Sequence, residues 1–167
     1  MGNINLDRAD PNFRSDLAKQ PGGDKISACF TCRTCEASCP IAAVNDTFNP
    51  VKIIRMALYG LKEEVLKSDF IWLCSGCYTC QERCPQGVSI TEFMTLLKNL
   101  AVKEGNMPSG IRAQRDLIKG EGRIYPIDDF DNKKRNKAGL PLIPTTCDVV
   151  KKLFPECIGK SILKPRV

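Results

Sequence analysis

The chain has 167 residues, 43% hydrophobic and 26% charged, proportions that suit one compact domain with extensions at its ends. It carries a net charge of +6 and no histidine, which removes Rieske centres, His-ligated haem, the common catalytic zinc sites and His-based acid–base catalysis. Ten cysteines in so short a chain point to disulfides in an oxidising compartment or to thiolate–metal chemistry in a reducing one.

Residues 1–25 are polar, with Pro11 and Pro21-Gly22-Gly23 and no sustained apolar period. They read as an N-terminal arm, either packed on a partner or a disordered tail. The opening MGNINLDRADPNFRSD has no apolar h-region, so no secretory signal is expected, and a cytoplasmic protein with reduced thiols is. No stretch approaches the roughly 18–20 apolar residues of a membrane span.

Eight cysteines then form two identical patterns. CFTCRTCEASCP holds Cys29, Cys32, Cys35 and Cys39 before Pro40, and CSGCYTCQERCP holds Cys74, Cys77, Cys80 and Cys84 before Pro85. Both read C-x-x-C-x-x-C-x-x-x-C-P, with every cysteine of the second 45 positions after its counterpart. Three cysteines at intervals of three sit on one tight loop and can cap three corners of a cubane. The fourth enters a following helical turn and points away, and in two-cluster ferredoxins with this run it ligates the other cluster. Two [4Fe–4S] clusters are therefore expected, one on Cys29, Cys32, Cys35 and Cys84, the other on Cys74, Cys77, Cys80 and Cys39. Zinc sites pair two C-x-x-C units across a longer loop, whereas each motif here already holds four cysteines. Each cluster with its thiolates carries a formal charge of about −2, so two would bring the chain from +6 to about +2.

The segment between the motifs reads as helical. Asn49 is an N-cap candidate with Pro50 at the first helical position. Val51, Ile54, Ala57, Leu58 and Leu61 follow a helix face, with Gly60 near its end. A second short helix over 61–67 puts Leu61, Val65 and Leu66 on one side, and Phe70-Ile71-Trp72-Leu73 lead into Cys74. Trp72 and Phe30 are either shields over the clusters or plain core packing. After the second motif, Ser89-Ile90-Thr91-Glu92 matches a capping box, and Ile90, Phe93, Met94, Leu97, Leu100 and Ala101 continue at helical spacing until Gly105. A further helix is predicted from 109 to about 119, closed by Gly120. Nothing alternates as a strand would. The fold class is all-α: a helical ferredoxin domain over 26–121, with irregular N- and C-terminal extensions over 1–25 and 122–167.

The C-terminal extension is rich in Pro, Lys and Asp, with one short helix predicted over 146–154 before Pro155. Its apolar content is too small for a second core, and it is expected to lie over the domain or a partner. Cys147 and Cys157 fit neither motif; buried, unreactive thiols are preferred to a disulfide, a third centre or a redox role. Lys133-Lys134-Arg135-Asn136-Lys137 reads as a solvated loop rather than a nucleic-acid site, since no aromatics interleave it and Asp128, Asp129 and Asp131 offset it. There is no G-x-G-x-x-G, P-loop or nucleophile elbow, and no catalytic residue is assigned.

The paired motifs, the helical insert, FIWLCSGCYTCQERCPQGVSITEFM and the later GIRAQ together resemble the C-type iron–sulfur subunit of the heterodisulfide reductase of methanogenic archaea, closely over 29–119. The resemblance implies a helical ferredoxin fold with the eight cysteines as cluster ligands. It implies an electron relay from the A-type subunit, which holds FAD and iron–sulfur clusters, to the B-type subunit, whose CCG-type clusters reduce the CoM–S–S–CoB heterodisulfide, often with a hydrogenase attached. Similar domains occur in iron–sulfur subunits of succinate dehydrogenase-like, glycerol-3-phosphate and glycolate oxidases and in sulfur metabolism. The chain has no CCG repeat, so its catalytic partner is expected to be a separate polypeptide. A free ferredoxin and a zinc-bound interaction module are the remaining alternatives.

Overall fold

A computed structural model describes residues 6–153. Every regular element among them is helical, in agreement with the all-α reading. The α-helices are α1 (Phe13–Ala18), α2 (Thr34–Ala37), α3 (Pro50–Leu58), α4 (Lys62–Leu66), α5 (Thr79–Glu82), α6 (Ile90–Lys103), α7 (Ser109–Glu121), α8 (Asp129–Lys137) and α9 (Asp148–Leu153). Short 3₁₀ turns at Ile26–Ala28 and Phe70–Leu73 run into Cys29 and Cys74. The chain packs as two compact units that divide between Asn106 and Met107.

In the first unit α3 forms where the sequence places it. The Asn49 side chain accepts from the Lys52 amide at 2.9 Å, and Pro50 sits in the first turn, where its missing N–H costs nothing. Gly60 takes φ +77 just past the helix and ends it. The predicted apolar face is buried at Val51, Ile54, Ala57 and Leu61, with Leu58 half-buried; Ile53 and Met56 are buried as well, because α3 is covered on more than one side. In α4 Val65 and Leu66 are buried, and in α6 Ile90, Phe93, Met94, Leu97 and Ala101.

The arm differs from the expectation for it. Its described residues, 6–25, are neither irregular nor free: a 3₁₀ turn and α1 organise them, and Phe13 and Leu17, with Ile26 just beyond, are buried in the same core. α1 packs on α3, and the Asp10 amide donates to the Gly60 carbonyl at 2.8 Å. Phe13 and Leu17 are an i, i+4 pair, but one pair in a six-residue helix is too short for a period to register, and Ile26 lies outside that helix. The capping box also differs. Ser89 is the N-cap of α6, but its side chain makes no capping hydrogen bond.

In the second unit α7 extends past Gly120 and ends at Gly122, whose φ of +70 makes it the helix terminator. α7 belongs to this unit, so the division falls earlier than the boundary expected after 121. The basic run does not form a loop but the last turns of α8, capped by reciprocal bonds between Asp128 and Asp131, with cationic residues favourably at the C-terminal end. α9 lies within the predicted 146–154 helix; Phe154 and Cys157 fall outside the described residues. Cys147 is half-buried rather than buried, its amide donating to Glu121 O at 2.9 Å. All large buried apolar side chains among the described residues lie between Phe13 and Ala101.

Candidate metal centres

Each cysteine loop is shaped by left-handed backbone at matching places. Thr31 and Arg33 have φ of 67 and 66; Gly76 and Tyr78, each 45 positions later, have φ of 68 and 64. Arg33 and Tyr78 are the N-caps of α2 and α5, and Cys35 and Cys80 lie in the first turn of those helices. Left-handed residues turn successive backbone amides toward one side, a concavity suited to an anionic group. Thr31 is β-branched and carries a conformational penalty there of about 1–2 kcal/mol; its hydroxyl accepts from Arg55 Nη1 at 3.0 Å, which helps to hold it.

Two cavities result. The first is lined by Cys29, Cys32, Cys35 and Cys84; the second by Cys39, Cys74, Cys77 and Cys80. Each thus takes three cysteines from one motif and its fourth from the other. The remaining walls are largely apolar: Val51 and Val88 in the first, Phe48, Pro50 and Met94 in the second. Ile90, which is buried, lines both. Among the described residues no three Cys, Asp or Glu side chains converge to hold one ion. Four cysteines lining one cavity match the donor set of a [4Fe–4S] cubane, whereas tetrahedral zinc needs all four sulfurs about 2.3 Å from one point.

The thiols differ in their surroundings. Cys32 and Cys77, the second cysteine of each motif, are exposed, and Cys35 is buried, with the other five half-buried. The Cys32 thiol bonds Thr34 Oγ1 at 3.4 Å and Cys77 bonds Thr79 Oγ1 at 3.5 Å, holding both below the ordinary thiol range. Burial, reinforced by the thiolates of Cys80, Cys29 and Cys32, pushes Cys35 up to about 12. Burial also raises Cys80, with a contact to Thr91 Oγ1 at 3.7 Å pulling the other way. Of the two expected shields, Trp72 is half-buried against the core, while Phe30 is 59% exposed at the rim of the first cavity.

Residues 25–88 match the family of 4Fe-4S dicluster domains. The chain is 36% identical over 144 residues to the C-type subunit of the H(2):CoB–CoM heterodisulfide,ferredoxin reductase of Methanothermobacter thermautotrophicus, covering 86% of this chain and 75% of the relative. It is 40% identical over 150 residues to the C-type subunit of the ferredoxin:CoB–CoM heterodisulfide reductase of Methanosarcina mazei, covering 89% of both. The chain belongs to the family of C-type heterodisulfide reductase subunits. A third member, the second C-type iron–sulfur subunit of the CoB–CoM heterodisulfide reductase of Methanocaldococcus jannaschii, is 36% identical over 163 residues, 93% of this chain and 87% of its own. These matches run through the second unit as well as the cysteine loops, since they cover most of the chain. No helix among the described residues is long and apolar enough to cross a membrane.

The cysteine motifs do not single out Thr34 and Thr79, although both occupy the same place in C-x-T-C, a signal the repeat carried. Thr91 and Ile90 had no such signal. Both sit inside the apparent capping box, and only their neighbours in space reveal what they touch.

Proposed function

We propose that the chain is the iron–sulfur electron-relay subunit of a cytoplasmic heterodisulfide reductase complex, holding two [4Fe–4S] clusters. Each such cluster, when bound, takes up and gives back one electron without making a bond to substrate. Cys29, Cys32, Cys35 and Cys84 would hold the first, and Cys74, Cys77, Cys80 and Cys39 the second. The observation that carries this reading is the sorting of eight cysteines into two sets of four around two cavities that share Ile90 in their walls. A wall residue common to both cavities favours electron exchange between the sites, and the apolar walls keep water from the less exposed sulfurs. Exposed Cys32 and Cys77 present one edge of each site to a partner. The donor would be the A-type subunit, with FAD and iron–sulfur clusters. The acceptor would be the B-type subunit, whose CCG-type clusters reduce CoM–S–S–CoB; a hydrogenase is a further candidate partner. The names of the relatives support membership of a heterodisulfide reductase complex. The chain itself supplies no catalytic residue.

Anaerobic purification from the native cell tests the reading. About eight irons per chain, a brown absorbance that dithionite bleaches and co-purifying flavin and CCG-type subunits are expected. Zinc in a colourless protein running alone would end it. The crossed ligation has its own test, Cys84→Ser. It should damage the cluster held by Cys29, Cys32 and Cys35, as read by iron counting and EPR. Loss of the other cluster alone would show the crossing to be wrong.

A further inference from the structure

The two cavities are related by the repeat but differ in the hydrogen bonds that reach sulfur. Thr34 with Cys32 and Thr79 with Cys77 are a matched pair, at 3.4 and 3.5 Å, and cannot distinguish the sites. Two other contacts lack a counterpart. Thr91, the second residue of α6, is 4% exposed, lines the second cavity and brings its Oγ1 within 3.7 Å of Cys80 Sγ. The second residue of α3 is Val51, which lines the first cavity with Cys35 and has no hydroxyl to offer. Likewise the Ala42 amide donates to Cys39 Sγ at 3.5 Å in the second cavity. The amide three residues after Cys84, that of Gly87, goes to the Cys84 carbonyl at 3.1 Å instead.

We infer that Thr91 is a potential-setting residue that makes the cluster held at the second cavity the easier of the two to reduce. The inference rests on the relay reading and on the two cysteine sets named above. When Cys80 is a thiolate it has no proton to give, so the Thr91 hydroxyl becomes the donor. Reduction adds one electron, and with it negative charge on the ligating sulfurs. A buried O–H aimed at sulfur stabilises that charge, more so in a low-dielectric wall than in water. Val51 offers the first site no such stabilisation. Thr91 touches only a ligand, so it acts by positioning a hydrogen bond. An electron from a low-potential partner therefore comes to rest at the second site, which makes Cys77 the edge facing the acceptor and Cys32 the edge facing the donor.

The test is an EPR-monitored reductive titration of the intact holoprotein with dithionite, with iron counted in each variant. Thr91→Val keeps the β-branched shape and should leave about eight irons. It should make one of the two signals harder to reduce by roughly tenfold, which is 59 mV for one electron. Thr91→Ser, which keeps the hydroxyl, should restore that signal toward wild type. Val51→Thr should make the other signal easier to reduce, and that signal should be the one altered in Cys84→Ser. Full iron with unmoved midpoints in Thr91→Val would overturn the inference and leave the relay reading intact. Movement of the signal that Cys84→Ser alters would overturn it too. Should Thr91→Val lose iron, Val51→Thr decides alone: a first-site midpoint that does not rise refutes the tuning. A wild-type chain with no iron–sulfur signal would sink the relay reading, and this inference with it.

Discussion

At Cys35 two demands oppose each other. The thiolate is the form that binds iron, yet burial and three neighbouring thiolates push this thiol up to about 12. In the iron-free folded chain Cys35 therefore stays protonated at neutral pH, and iron has to displace that proton. Because the folded value is raised, proton competition weakens as pH climbs toward it and strengthens as pH falls. Iron incorporation into the iron-free chain under anaerobic conditions should be more complete at pH 9 than at pH 7. Cys32 and Cys77, exposed and held below the ordinary thiol range by Thr34 and Thr79, offer less proton competition than Cys35. The proline-ended cysteine runs announced which sulfurs to watch, but not that one of them would be a poor acid. That follows from burial, which depends on what α5 and α3 bring against α2.

Among the elements, α3 is tied to the first cysteine loop through its cap. Arg33 donates from Nε and Nη2 to the two oxygens of Glu36 at 2.8 and 2.9 Å, and Glu36 Oε1 also accepts from Asn49 Nδ2 at 2.8 Å. Asn49 thus caps α3 with its oxygen while its nitrogen holds α2. Asn49→Ala removes both bonds and should cost about 1–2 kcal/mol, read as a lower melting temperature of the holoprotein, with faster loss of absorbance in air. Asn49→Asp keeps the cap but sets a second carboxylate against Glu36, and should recover only part of that loss. The turn from α3 to α4 is constrained from the other side. At Gly60 an added Cβ would lie 2.4 Å from the Asp10 carbonyl oxygen, on a backbone already at φ +77. Gly76 has a similar φ and open space around it. Gly60→Ala should therefore destabilise more than Gly76→Ala, whose cost is the backbone penalty of about 1–2 kcal/mol. Equal denaturant midpoints for the two variants would mean that the arm does not dock at Gly60.

Over the whole molecule, charge and core are divided unevenly. The acidic and basic residues of 1–106 balance, so the entire excess of +6 belongs to 107–167. With two clusters of about −2 each, the first unit would be acidic, as small ferredoxins are, and the second would keep the positive charge. The net figure of about +2 for the chain averages over two units of opposite sign, which makes it a poor guide to how either meets a partner. All eight motif cysteines and all the large buried apolar residues among those described lie in the first unit. A chain ending at Asn106 should accordingly fold and carry about eight irons, with the visible circular dichroism of the full chain. Iron contents near zero in that fragment would make the second unit part of the binding fold.

The sequence by itself determined what acts over a few residues. Cysteine spacing marks the two loops, and the 3.6-residue period marks α3, α4 and α6. Asn49-Pro50 and Gly60 mark the two ends of α3, because each works through its own neighbours along the chain. The resemblance to the C-type subunits of heterodisulfide reductase was likewise carried by contiguous residues. Only the tertiary structure decided that Phe13 and Leu17 belong to the core, that α7 groups with the second unit and that Ile90 lines both cavities. It also decided that Thr91 faces a sulfur while Ser89, the expected cap, makes no capping bond from its side chain. Each of these depends on which distant residue arrives opposite. Burial and donor–acceptor geometry belong to pairs of residues, and no local pattern specifies the second member of such a pair.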